Sequence, residues 1–434
     1  MRFLQYLLSW KPINTFKGVR EGFAFNKKND SDASIQFPKS TIKKLIKYTA
    51  NLPSYFISNL FKKDKNLWIF GAWYGQSYSD NSKYFFEYIN KNHPEIKAIW
   101  LSQNFDVLKE IRAKGFKAFS TFSLTGYFCS FKASVAVVTH SKLTDLNFYA
   151  ISPRTKIIQL WHGIPLKKIY FDDEKSAQRF RERKSRIKEL IFPFLKERFD
   201  LMITTSSEFQ AIAGKAFDLP IEKIKITGYP RDDVFYHTPK KQKKKKKIIY
   251  LPTLRKAIGS EIDMFFQYGF DAEQISRILE MNNAELSIKL HPANRFEQKF
   301  IDLIGIFDNI KILLNVDIYD SICDYDILIT DFSSIYFDFL LTGKPMIFAA
   351  FDIDDYQKYD HDLYYEYDEI TPGPKTKNWE ETIKSAVSIL AGNDEYKQQR
   401  EKIKNKFFKY NDGRNSERVF KEISALTGTK KKNK

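Results

Sequence analysis

Short apolar runs alternate with amphipathic stretches along most of the chain. LWIFGA (67–72), KAIWLS (97–102), KASVAVVTH (132–140), KIIQLWHG (156–163) and LMITTS (201–206) are rich in β-branched and aromatic residues and end at Gly or polar positions. That pattern predicts buried strands. Between them, DNSKYFFEYINKN (80–92) carries a helical apolar stripe with Asp80 as its expected N-cap, and VLKEIRAKG (107–115) stops at Gly115. Residues 174–198 read as one charged amphipathic helix or a pair.

A second series follows. KIIYLP (247–252), LSIKLH (286–291), KILLN (311–315), ILITD (327–331) and PMIFAA (345–350) read as strands. FDAEQISRILEMN (270–282) and SSIYFDFLLTG (333–343) read as helices between them, and NWEETIKSAVSILAG and EYKQQREKIKNKFFKY as C-terminal helices. Two successive β/α series predict an α/β protein with two doubly wound, Rossmann-like parallel sheets facing a cleft.

The expected division has five parts. Residues 1–60 form a basic and aromatic N-terminal segment, a candidate for membrane association. NKKNDSDAS (26–34) within it reads as a loop, and TIKKLIKYTANLPSYFISNLFKK (41–63) has helical spacing, with Ile42, Leu45, Ile46 and Thr49 on one face. Residues 61–237 form the first Rossmann-like domain. Residues 238–247 form a linker by composition, since seven of the eight residues 240–247 are lysine. Residues 248–425 form the second domain, and 426–434 a basic tail.

Composition adds a charge argument. The 434-residue chain carries a formal net charge of +18, which suits anionic partners: a nucleotide, a phosphorylated lipid, an anionic membrane or nucleic acid. Its two cysteines, Cys129 and Cys323, form neither a disulfide framework nor a metal-ligand spacing. The N-terminal MRFLQYLLSWK is too short to span a bilayer or to act as a signal peptide. The expectation is therefore a cytoplasmic protein, peripheral on the inner face of the membrane.

Four segments lie where such sheets place ligands, beyond the carboxyl ends of strands. In WHGIP (161–165), His162 is able to take a proton near neutral pH, and Gly163 permits close backbone approach. A lone His in an apolar setting is more often structural, so both readings stay open from these residues alone. In YLPTLRK (250–256), Thr253 and Arg255 follow a strand, and an arginine fork fits phosphate oxygens. IKLHPANR (288–295) repeats the pattern of the first segment and delivers His291 to a loop. In ILITDFSSIYFDFLLTGKPMI (327–347), a strand stops at Asp331, and Ser333 and Ser334 open a helix, as phosphate ligands or as N-caps. The sequence contains no zinc-site spacing, Walker A loop, GxGxxG or GxSxG.

Taken in order, YSDNSKYFFEYI, QLWHGIPLKKI, TTSSEFQ, TGYPRDDVF, IIYLPTLRK, IKLHP, ILITDFSSIYFDFLLTGKPMIF, the PGP of 372–374 and NDGRNSERV (411–419) resemble the CDP-glycerol glycerophosphotransferase family of teichoic-acid primases and polymerases. The resemblance runs from about residue 67 to residue 422. It implies a GT-B-like fold, with the CDP-alditol on the C-terminal domain and the acceptor on the N-terminal one. It implies transfer of glycerol phosphate or ribitol phosphate from CDP-glycerol or CDP-ribitol to a hydroxyl of a lipid-linked or cell-surface glycan, with release of CMP, in teichoic acid or capsule-type polymer synthesis. No metal and no cofactor is implied, and homo-oligomerisation stays open.

By the same resemblance, His162 is the candidate base. His291 and Arg255 contact the donor diphosphate, and Asp331, Ser333 and Ser334 surround it and the transferred group. Arg231, in GYPRDD, sits near the interdomain hinge. The family usually shows a Gly near position 170, then a residue and Asp, where this chain has Tyr170, Phe171 and Asp172.

Two other readings compete. A GT-B glycosyltransferase using a nucleotide sugar would share fold and phosphate site. A basic nucleic-acid-binding protein would share the charge, but the lysines cluster in the linker and tail and no reading motif is present.

Overall fold

The computed structural model describes residues 39–429, except 175–176, 178–185, 239–243, 256–258, 292, 315 and 354–361. The loop expected at 26–34, residues 239–243 of the lysine-rich linker, Pro292 and the end of the basic tail lie outside the described residues. The chain divides into two units, residues 1–48 and 49–434. A helix spans Lys39–Leu60 and contains Pro53.

Seven parallel strands form the first sheet. They are β1 (Asp64–Phe70), β2 (Lys97–Ser102), β3 (Ala118–Ser120), β4 (Ala133–Val138), β5 (Lys156–Gln159), β6 (Leu201–Thr204) and β7 (Ile224–Ile226). Their spatial order is β3-β2-β1-β4-β5-β6-β7. The second sheet contains β8 (Lys246–Leu251), β10 (Ala284–Ile288), β12 (Ile310–Ile312), β13 (Ile327–Thr330) and β14 (Met346–Phe348), in the order β12-β10-β8-β13-β14. A separate two-residue pair joins β9 (Glu261–Ile262) to β11 (Arg295–Phe296). Both large sheets reverse direction beside their first strand, at β1/β4 and at β8/β13. Crevices at such switch points are where open α/β sheets bind ligands.

Alternation along β8 shows why the second sheet is covered on both faces. Ile249 and Leu251 join a core continuous with the first sheet, whereas Ile248 and Tyr250 face a second core with Phe265, Phe300 and Trp379. Successive side chains of a strand point to opposite faces, so an unbroken apolar run is what such a strand requires.

The elements depart from the sequence reading in a few places. β3 and β7 are short strands that the apolar pattern did not reveal. The helix expected to be capped by Asp80 has Ser79 at the capping position, and Asp80 is its first residue at φ 64°. Lys246 and Lys247, the end of the lysine run, belong to β8 and pair with Ala284 and Glu285. The stretch 333–343 is an α-helix only over Ile335–Phe339, followed by a 3-10 turn at Leu340–Thr342. The last helix, Asn415–Thr427, falls within the sequence of the second series but packs on the first. Phe420 stacks on His93 with centroids 3.5 Å apart and lies 5.9 Å from Trp68, and Asp233 accepts the backbone N–H groups of Asn415 and Ser416.

Candidate active site

The two switch points meet. After β1 the chain turns through Trp73 and Tyr74, both in the left-handed region at φ 46° and 59°. After β4 it passes through Thr139 and His140, and after β5 through Trp161 and His162. Asp145 ties the first two loops together. Its buried carboxylate accepts the N–H groups of Tyr74 (3.0 Å), Thr139 (3.0 Å) and His140 (2.9 Å). Backbone donors of this kind satisfy a buried acceptor without a counter-ion.

His162 is set by those loops. Its Nδ1–H donates to the Thr139 carbonyl at 3.0 Å, which leaves Nε2 with a free lone pair. The His140 ring lies flat on it, centroids 4.3 Å apart and planes 10° apart. Burial, and then His140, push the His162 pKa down to about 3, while Asp80 acts in the opposite direction. His162 is therefore neutral at physiological pH and able to accept a proton.

His291 has the opposite tautomer. Its Nδ1 accepts the Ala293 N–H at 3.2 Å, so its proton resides on Nε2. Burial, with Lys289 and Lys167 nearby, lowers its pKa to about 4. It is a neutral hydrogen-bond donor, suited to an anionic oxygen. The Trp73 indole lies between the two sheets, 6.4 Å from the His162 ring and 6.2 Å from the His291 ring. One side chain thus borders both histidines, which are 129 positions apart in sequence.

Gly163 and Arg231 bring the turn that carries His162 against the second sheet. Gly163 has φ 151°, and a Cβ there would lie 3.0 Å from Ser334 Oγ and 3.4 Å from Arg231 Nη2. Arg231 is buried. Its Nη1 donates to Asp80 (2.7 Å) and to the His162 carbonyl (2.9 Å), and its Nη2 to Asp338 (2.6 Å). Tyr319 also donates to Asp338. Asp80 belongs to the first half and Asp338 to the second, so one guanidinium joins them. Arg231 is a positioning residue here, occupied by protein on every side that it bonds.

Arg255 is similarly occupied. Nη2 donates to Asp331 (2.7 Å) and to Asp352 (2.9 Å), and Nε to Asp352 (2.7 Å). Asp331, fully buried, also accepts the Thr253 N–H and, at 2.6 Å, the Thr253 hydroxyl. Asn294 completes the arrangement by accepting the Arg255 N–H and donating to the Arg255 carbonyl. Asp331 therefore organises the loop after β8. Ser333 and Ser334 keep unbonded hydroxyls among the described residues, and Ser334 makes no side-chain cap. With only five α-helical residues behind them, the dipole offers an anion little, and the hydroxyls themselves are the available groups.

The sequence reading selected His162, Gly163, Arg231, Thr253, Arg255, His291, Asp331, Ser333 and Ser334, and the fold gathers all of them around the two switch points. It did not select His140, Trp73, Asp80, Asp145 or Asp352. His140 carried the same signal as the others, a His at the end of an apolar run, VAVVTH.

Tyr170 stands near where the family pattern has Gly. It has φ 49°, a backbone conformation that glycine adopts freely. Its aromatic ring lies 4.5 Å from that of Phe217 and 5.8 Å from that of Trp161. Asp172 accepts the Tyr364 hydroxyl at 2.8 Å.

Comparison with known proteins shows which family the chain belongs to. A teichoic acid glycerol-phosphate transferase of Staphylococcus aureus is 28% identical over 411 residues, covering 89% of this chain and 99% of that protein. A teichoic acid poly(glycerol phosphate) polymerase of Bacillus subtilis is 28% identical over 88% of this chain, which spans only 53% of the polymerase. The solved structure of the wall teichoic acid polymerase TagF superposes with a TM-score of 0.70 at 22% identity, covering 91% of this chain and 99% of that one, and so shares the fold. The family model described as CDP-glycerol:poly(glycerophosphate) glycerophosphotransferase matches residues 54–425, and the chain belongs to that family of transferases.

Proposed function

We propose that this protein transfers glycerol phosphate from CDP-glycerol to a hydroxyl of a lipid-linked glycan in teichoic acid synthesis. The observation that carries the reading is the pair of opposite histidine tautomers at the meeting of the two switch points. His162 offers a bare Nε2 and His291 an Nε2–H. The acceptor oxygen attacks the β-phosphorus as His162 takes its proton. A new O–P bond forms, the bridging O–P bond breaks, and CMP leaves with that electron pair. His291, with the hydroxyls of Ser333 and Ser334, stabilises the charge gathering on the diphosphate. Arg255 and Asp331 hold that loop in place rather than grip the phosphate themselves. The relative matched along almost its whole length is named for glycerol phosphate, which favours that alditol over ribitol.

A lipid-linked acceptor requires contact with a membrane. Among the described residues no helix is long and apolar enough to cross one. Leu60, Leu124 and Phe128 are exposed, and Phe61 packs on Phe128 and Phe131. Lys63 donates to the Phe131 carbonyl, and Lys132 lies over the Phe128 ring. Exposed apolar side chains rimmed by lysine favour peripheral docking on an anionic bilayer, which would place the enzyme on the cytoplasmic face.

The test is CMP release from CDP-glycerol, CDP-ribitol and UDP-sugars, with detergent-solubilised membrane extract as acceptor. CMP from CDP-glycerol alone supports the reading. UDP release from a sugar nucleotide, with both CDP-alditols silent, replaces it with a glycosyltransferase.

A further inference from the structure

The turn after β1 is costly and unexplained by packing alone. Trp73 and Tyr74 are consecutive non-glycine residues with positive φ, 46° and 59°. Such conformations persist only where surrounding structure enforces them, and they concentrate at ligand sites. Here the enforcement is explicit. The Trp73 indole N–H donates to Asp80 at 3.1 Å and the Tyr74 N–H to Asp145 at 3.0 Å. Gly75 closes the turn through its N–H to the Ala72 carbonyl at 2.9 Å, and its own carbonyl accepts from Gln103 N–H and from the Ser102 hydroxyl.

The result is a pair of rings with different placements. Trp73 borders His140, His162 and His291. Tyr74 stands outside it, 55% exposed, with its ring 5.3 Å from that of His140. A single exposed tyrosine is ordinary. One held in the left-handed region at a sheet's switch point, one ring away from the base, is not. Groups suited to the donor's phosphates, His291, Ser333 and Ser334, belong to the second sheet. Tyr74 belongs to the first, from which a molecule offering its hydroxyl to His162 must come.

We propose that the Trp73–Tyr74 turn is the acceptor subsite, in which the Tyr74 ring is the face that stacks on the sugar or polyol end of the acceptor while its hydroxyl is delivered to His162. The C–H face of a polyol presents apolar area that an aromatic ring covers, and a ring held by a rigid turn loses little freedom in doing so. The assignment rests on the transferase reading above and adds the acceptor side to it.

Tyr74→Gly is the informative variant, because glycine relieves the backbone while it deletes the ring. The acceptor probe is detergent-solubilised membrane extract titrated at fixed CDP-glycerol. The expected result is a rise of at least tenfold in half-saturating acceptor, with CDP-glycerol affinity by calorimetry within twofold and a melting temperature equal to or above that of the wild type. Tyr74→Phe keeps the ring and is expected within threefold of wild type. Unchanged acceptor half-saturation in Tyr74→Gly, an equal loss of CDP-glycerol affinity, or a loss in Tyr74→Phe as large as in Tyr74→Gly overturns the subsite. A wild-type protein that releases no CMP from either CDP-alditol overturns the transferase reading, and the subsite with it.

Discussion

The imidazole of His140 lies flat on that of His162, centroids 4.3 Å apart, and both rings are neutral near physiological pH. Two stacked imidazoles cannot share protonation at low cost. Burial lowers His140 to about 4 and His162 to about 3, and the charge of His140 adds to the depression of His162. The acidic limb of kcat/KM follows the free enzyme's base, so the rate is expected to stay flat down to about pH 5, without an inflection at the usual histidine value. His140→Phe keeps a flat ring and removes the second charge, so the limb shifts upward. A pH–rate profile of the two proteins checks this.

The same shifts bear on stability. A histidine whose folded pKa is below its unfolded value binds more protons when unfolded, so stability falls as pH falls from about 6.5 toward the folded value. Asp145 and Asp232, whose pKa values burial raises, act with the opposite sign. The difference between wild type and His140→Phe reports the loss of His140 together with the relief of His162 that it brings. Urea unfolding of His140→Phe should lose less stability between about pH 6.5 and 4 than the wild type, by about 1–3 kcal/mol.

The opposite tautomers of His162 and His291 separate their variants. His162→Gln removes the proposed base and is expected to cost about 10²–10⁴ in kcat, with CDP-glycerol affinity little changed. His291→Ala removes an Nε2–H donor and is expected to weaken CDP-glycerol. His291→Gln retains an amide N–H and should recover part of that loss. Single-turnover CMP release paired with calorimetry distinguishes the two sites, and equal loss of donor affinity in both would refute the division of roles.

Much of this was legible in the sequence because strand ends are legible. An apolar run that stops at His or Asp announces a residue at a sheet's carboxyl edge, and His162, His291 and Asp331 were found that way. His140 ended such a run too, but only the fold shows it lying against His162. Trp73 and Tyr74 were hidden for a different reason. A positive φ is usually betrayed by glycine, and here aromatic residues occupy it. Asp80 read as a cap because Asp commonly caps, whereas its carboxylate is turned to Arg231. Asp352 and Asp338 were invisible as partners because buried ion pairs join positions that have no local pattern: Arg255 to Asp352 across 97 residues and Arg231 to Asp338 across 107.

The engagement of Arg255 with Asp331 and Asp352 yields a stability prediction. Removing the guanidinium strands two carboxylates that have little access to water, one of them fully buried. Breaking a buried pair from one side costs about 3–5 kcal/mol. Arg255→Ala should therefore unfold at markedly lower urea. Arg255→Lys should recover only part of this, since an ammonium cannot span both carboxylates as the planar fork does. An Arg255→Ala protein with wild-type stability but lost donor affinity would return the arginine to a direct phosphate contact.

Gly163 tests how closely the two halves must meet. Alanine at this position suffers twice. Its φ of 151° is one that side chains rarely adopt, and its Cβ would reach Ser334 Oγ at 3.0 Å. The backbone component costs about 1–3 kcal/mol wherever the residue sits. The steric component depends on Ser334 and disappears when that side chain is removed. Gly163→Ala should thus lower both stability and kcat. Adding Ser334→Gly should restore the stability lost to the clash but leave the backbone penalty and the missing hydroxyl. A double-mutant cycle by urea unfolding measures the coupling. A coupling near zero would mean that the WHG turn and the serine loop are held apart, with His162 no longer set against the proposed phosphate site.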